Sequence, residues 1–166
     1  LRDRTSGGVI AVVEIADNLT ARTDPALTRI VLDNLIDNAW KYTSKRTDEG
    51  HITFGLAAES NGTPVYVVKH DGCGFDMRYA DKLFGPFQRL HSMSEFPGNG
   101  IGLATVRRAI HKLGGRVWAD SRPGQGASFY FTLGEGKIVH AGDTKETTSP
   151  EAKKPNVDAE TREVTL

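Results

Sequence analysis

A helix that must be amphipathic, yet carries polar residues on its core-facing side, constrains this chain more than any other segment. Asp24-Pro25 sets an N-cap acceptor ahead of a proline at the first helical position, and the helix this predicts runs to about Tyr42. Leu27, Ile30, Val31 and Leu35 recur at helical spacing and form the face expected to turn toward a core. On that same face Asn34, Asn38 and Lys41 fall within about 60° of one another, with Tyr42 close beside them. Two carboxamides and an amine stand where apolar side chains are expected, and each costs about 1–3 kcal/mol if buried unpaired. One such asparagine is satisfied by neighbouring backbone. A whole ridge points instead to a polar ligand between helix and sheet, because amide oxygens can ligate a hard cation and a lysine can meet a phosphate.

The other segments supply the sheet. Val9 to Ile15 is a β-branched run, and His51–Ala58 with Pro64–His70 flanks the turn signature Ser60-Asn61-Gly62. A second helix is predicted from about Gly102 to Leu113, with Leu103, Val106, Ile110 and Leu113 as its apolar stripe and Gly114-Gly115 as its stop. Arg116–Ser121 and Ala127–Leu133 form a closing hairpin around Pro123-Gly124-Gln125-Gly126. Strands that arrive as hairpins, without a helix between each pair, predict a two-layer α/β (α+β) sandwich. Its sheet is mixed but largely antiparallel, with helices on one face.

Composition sets the limits of the folded unit. The stretch from Glu135 to Leu166 has no aromatic residue and carries seven acidic and five basic side chains, so it is expected to be a flexible tail. Residues 9–134 are then expected to be the domain and 1–8 a linker from something upstream, and the opening Leu1 in place of Met adds the expectation of a fragment. The 21 basic and 21 acidic side chains balance, which argues against a nucleic-acid or anionic-membrane surface. Cys73 is the sole cysteine, so an internal disulfide framework and a cysteine-rich zinc site are excluded. No apolar run approaches the roughly 20 residues that span a bilayer. A soluble, cytoplasmic domain is expected, whether or not its parent is membrane-anchored.

Glycine-rich motifs occur twice. Asp71-Gly72-Cys73-Gly74 follows a strand, where glycine permits a sharp turn or close approach to a flat ligand. Gly98-Asn99-Gly100-Ile101-Gly102-Leu103 immediately precedes a helix, whose first N–H groups favour an anion. No Gly-Lys-Ser/Thr ending supports a Walker-type loop, and the Rossmann spacing also fails.

In their order, these motifs resemble the ATP-binding catalytic domain of sensor histidine kinases, within the wider group of gyrase-type, chaperone and mismatch-repair ATPases. Asn-Leu-Ile-Asp-Asn-Ala-Trp-Lys-Tyr-Thr (34–43) is similar to the family's asparagine box, and Gly72-Cys73-Gly74-Phe75 to its first glycine box. Leu83-Phe84-Gly85-Pro86-Phe87 resembles the phenylalanine box, Gly98 to Leu103 the second glycine box, and Gly124-Gln125-Gly126-Ala127-Ser128-Phe129 the closing hairpin. Phe87 to Ser92 is further similar to phytochrome-like and PAS-sensor kinases.

The resemblance implies ATP and Mg²⁺ as ligands, with Asn38 on the metal, Asn34 beside it, Lys41 on phosphate and Tyr42 near the base or ribose. Gly72, Gly74 and Phe75 would border the base. Gly100, Ile101, Gly102 and Leu103 would cap the phosphates, a mobile lid would run from about Phe84 to Gly98, and Ser128 would help hold adenine. It also implies transfer of the γ-phosphoryl to a histidine on a separate dimerisation domain, with a response regulator downstream and a homodimeric parent; the fragment itself could be monomeric. None of His51, His70, His91, His111 or His140 lies in the acceptor setting.

One departure stands out. The family's adenine-binding Asp falls at His70, with Asp71 one residue late. Three outcomes are open: a bulge presents Asp71, a neutral His70 accepts through a ring nitrogen, or adenine binding is impaired. The last makes a degenerate nucleotide-binding regulatory module the alternative to a kinase. An ATPase of the chaperone or topoisomerase branch is disfavoured, because those carry a glutamate base where Asn34 stands. Asp37 is a candidate base, though a solvated helix carboxylate is the simpler reading.

Overall fold

The computed structural model describes residues 11–60, 62–88, 90, 96, 98–134 and 162–165. The strands are β1 (Ala11–Ile15), β2 (Thr20–Thr23), β3 (Gly50–Ser60), β4 (Thr63–His70), β5 (Val117–Ser121), β6 (Ala127–Thr132) and β7 (Arg162–Thr165); the helices are α1 (Pro25–Thr43), α2 (Ala80–Leu83) and α3 (Gly102–Lys112). Five strands form one sheet in the order β1-β3-β4-β6-β5, and only the β1–β3 pair is parallel. That parallel edge follows from chain order: α1 intervenes between β1 and β3, whereas β3–β4 and β5–β6 join by short turns. The mixed, largely antiparallel sheet is as expected from the hairpins.

α1 begins as its sequence dictates. The Asp24 side chain accepts from the Leu27 N–H at 2.9 Å, and Pro25 occupies the first turn, where it sacrifices no hydrogen bond. Its buried stripe is Thr28, Val31, Leu35, Ala39 and Thr43. Ile30, expected on the core face, is 39% exposed, because the stripe is centred one residue further along and Ile30 sits 100° off it. The same offset places Asn34, Asn38 and Lys41 half-buried at the margin of the core.

The inward rows of the sheet carry the core. Phe54, Val68, Phe129 and Ala119 form one cross-strand row, and Leu56, Tyr66, Phe131 and Val117 the next. Leu56 is the exception, being 55% exposed next to the register shift in β3. α1 and α3 cover this face, α3 through Ala104, Val106, Ala109 and Ile110. On the outer face Trp118 stacks on Tyr130 at 5.6 Å, across from Val67.

Two features were not expected. β2 pairs antiparallel with β7, so Arg162–Thr165 of the expected tail is a strand; residues 135–161 lie outside the described residues. Met77–Tyr79 is a short 3-10 turn capped by Asp76, leading into α2. Val9, Ile10, Asn61, His140 and the lid positions 89, 91–95 and 97, which include His91, also fall outside the described residues.

Candidate functional site

The half-buried edge of α1 faces the start of α3 across a cleft of about 330 Å³, a volume in the range of small-molecule sites. α1 contributes Asp37, Asn38, Lys41 and Tyr42; the loop before α3 contributes Gly98, Asn99 and Gly100, and α3 itself Gly102 and Leu103. His70 at the end of β4, Gly74 and Phe75 in the following loop, and Phe129 on β6 close the other end. The ridge predicted from α1 is therefore neither sealed in dry protein nor turned to bulk solvent.

Local packing holds this geometry. Asn34 donates from its amide nitrogen to the Ile30 carbonyl at 2.8 Å, which leaves its Oδ1 against the first turn of α3. A Cβ at Gly102 would lie 2.9 Å from that oxygen, so glycine leaves the Asn34 amide undisturbed where the two helices approach. Gly72 meets the same need at the other end: a Cβ there would collide with the Tyr42 carbonyl, while the neighbouring Cys73 N–H donates to that carbonyl at 3.2 Å. The loop after β4 is thus fastened to the end of α1, and the Phe75 N–H donates to the buried Ser121 hydroxyl at 2.8 Å.

Charge and aromatic groups sort to opposite ends. Lys41 Nζ approaches Gly98 and lies 4.9 Å from the centroid of the Tyr42 ring. Asn99 Oδ1 accepts from the Ile101 N–H at 3.2 Å, capping the approach to α3. At the other end the His70 ring stacks between Tyr42, at 6.3 Å, and Phe129, at 6.4 Å. Phe96 meets Tyr42 edge-on at 4.9 Å. Burial pushes the His70 pKa down to about 4, against a smaller upward pull from Asp71, so the imidazole is neutral near pH 7.

Six expected site residues are not in the cleft lining: Asn34 and Gly72 pack behind it, and four lie elsewhere. Asp71 does not bulge into the cleft: β4 stays in register through His70, and the Asp71 carboxylate turns away to accept from the His51 N–H at 2.9 Å, with Arg46 at 3.6 Å. Ser128 and Asp71 line a separate shallow cavity, because strand alternation puts Ser128 opposite to Phe129. Ile101 is 39% exposed outside the cleft lining, and Phe84 is buried in the core. Phe87, by contrast, is 74% exposed. Phe129, Leu83, Gln88 and Leu90 also line the cleft; they fall within the motifs and the lid quoted from the sequence, but none was named there as a site residue. Phe129 was legible from the alternation of Ala127, Phe129 and Phe131 along β6; the other three belong to the phenylalanine box or the expected lid, where no periodicity gives the direction of a side chain.

Among the described residues no group of three or more acidic, histidine or cysteine side chains could hold a metal, and no helix is long and apolar enough to cross a membrane. Residues 23–137 match the family described as histidine kinase-, DNA gyrase B-, and HSP90-like ATPase. The chain is 38% identical over 103 residues to cyanobacterial phytochrome A of a Nostoc species, covering 62% of this chain and 13% of that protein. It is 39% identical over 112 residues to the methanogenesis regulatory histidine kinase FilI of Methanothrix harundinacea, covering 68% of this chain and 12% of that protein. A crystal structure of full-length ShkA in complex with AMPPNP superimposes with a TM-score of 0.60 at 27% identity, over 76% of this chain and 25% of that one. The chain therefore spans a small part of each relative.

Proposed function

Since the chain belongs to the histidine kinase-, DNA gyrase B-, and HSP90-like ATPase family, we propose that its cleft binds a nucleoside triphosphate with Mg²⁺ and serves as the catalytic domain of a two-component sensor kinase. The observation that carries this reading is the juxtaposition of Asn38 and Lys41 with the glycine-lined start of α3 across one cleft. Lys41 and the first N–H groups of α3 offer positive charge to phosphate oxygens, and the aromatic end offers faces to a base. Asn38 would hold Mg²⁺ through its amide oxygen. A single protein ligand suits an ion that keeps waters and takes its remaining ligands from phosphates, where it supplies charge neutralisation.

The γ-phosphoryl acceptor would be a histidine on a separate dimerisation domain of a homodimeric parent, with a response-regulator receiver downstream. This chain's part is positioning and electrostatic stabilisation. Residues 9–134 would form the unit that performs it, in a cytoplasmic setting.

Asn38→Ala is expected to weaken Mg²⁺-dependent triphosphate binding by about 10- to 150-fold, the scale of a lost charge-assisted contact. Calorimetric titration of the chain checks this, and an unchanged affinity would remove the site from α1. A second reading, a nucleotide-binding regulatory module without kinase activity, is favoured by His70 in place of a carboxylate. Adding a histidine-bearing dimerisation domain and assaying for acid-labile phosphohistidine separates the two: none forms if the module is purely regulatory.

A further inference from the structure

The base-binding end of the cleft has a fixed hydrogen-bond polarity, and one side chain sets it. His70 ends the inward row of β4, opposite Ile52 on β3 and Ala127 on β6, with its ring held between Tyr42 and Phe129. The Gly72 N–H donates to its Nδ1 at 3.2 Å. An amide N–H can donate only to an unprotonated ring nitrogen, so in the neutral imidazole the proton belongs to Nε2. Among the described residues Nε2 has no hydrogen-bond partner, and it is not one of the sealed polar atoms, which are Thr43 Oγ1 and Arg46 Nε. The cleft is therefore offered a donor, where a carboxylate would offer an acceptor.

Among the described residues no carboxylate reverses that polarity. The Asp71 carboxylate is engaged on the outer side with His51 and Arg46. Among the described residues Asp37 is the one carboxylate in the cleft lining, and it sits five residues before Tyr42, more than a turn of α1 from the ring that stacks on His70. The Asn99 amide oxygen already accepts from Ile101.

Resting on the nucleotide reading of this cleft, we infer that His70 is a specificity-determining residue that selects a purine with a 6-oxo group, hypoxanthine or guanine, over adenine. The 6-oxo oxygen accepts from Nε2–H, whereas the 6-amino group of adenine sets one donor against another. A donor left without its acceptor in a buried site discriminates by roughly 10- to 100-fold.

Inosine and adenosine triphosphates differ at this edge, one carrying a 6-oxo group and the other a 6-amino group, so they are the probes, with GTP as a third. Calorimetric titration of the full chain with Mg²⁺ is expected to give ITP and GTP at least tenfold tighter than ATP. In His70→Asp the order should reverse, with ATP gaining and ITP losing. His70→Gln, whose amide can present either an oxygen or an N–H, should bring the ITP-to-ATP ratio toward one, and it avoids placing a buried charge. ATP binding as tightly as ITP to the unaltered chain overturns this inference while leaving the nucleotide cleft intact. An ITP preference that persists in both variants shows that His70 does not set it. Failure of all three triphosphates to bind sinks the underlying reading of the cleft instead.

Discussion

Lowering the pH from about 6.5 to about 4 is expected to remove about 3 kcal/mol of folding stability through His70 alone. An imidazole in the unfolded chain takes up its proton near pH 6.5; in the folded chain, where it is 6% exposed, it resists until about pH 4. Between these values the unfolded state binds more protons than the folded one. The contribution is therefore complete above pH 6.5, declines as pH falls through the window, and is gone below about 4. Asp48 and Asp76, whose carboxyls Arg46 and Arg78 hold below the usual carboxylate range, lose their contributions only at still lower pH. Urea unfolding of the chain and of His70→Gln at several pH values isolates the effect. The variant should lack the decline between 6.5 and 4, and parallel declines in both proteins would refute it.

Phe131→Ala is expected to cost about 3–5 kcal/mol, lowering the unfolding temperature by roughly 10 °C in a domain of this size. Phe131 has no exposed surface, lies nearly parallel to Phe54 at 6.5 Å and packs on Tyr66 at 5.4 Å. Strand partners on both sides prevent the site from collapsing around the void. Phe131 is two residues along β6 from Phe129 and does not line the cleft, so nucleotide affinity of the folded protein should change little. Asn38→Ala should do the opposite, sparing stability and weakening binding. If Phe131→Ala unfolded near the temperature of the unaltered chain, the inward rows of β4 and β6 would not be the core.

Much of the candidate site was legible because its signals are local. Asp24-Pro25 starts α1 by backbone chemistry, and the 100° step places Asn38 beside Lys41 whatever the rest of the chain does. The Gly98–Leu103 motif announced the start of α3 in the same way. Ile30 shows the limit. Sequence periodicity gives the relative angles of side chains about a helix, but the absolute orientation is set by whichever neighbour buries more, and here the sheet and α3 favoured Val31 and Leu35. Ser128 shows another limit, since its face follows from the register of β6 against β4.

From the amino-acid order alone came the hairpins, both long helices and the succession of glycine and asparagine motifs, because turn chemistry and periodicity act within a few residues. Only the tertiary structure decided that β1 runs parallel to β3, that β7 returns to pair with β2, and that Asp71 leaves the cleft to His70. It also decided which ring nitrogen of His70 is engaged by the following loop, through a bond from Gly72. These outcomes depend on contacts between distant segments, and no local pattern encodes which partner a strand end or a side-chain nitrogen will meet.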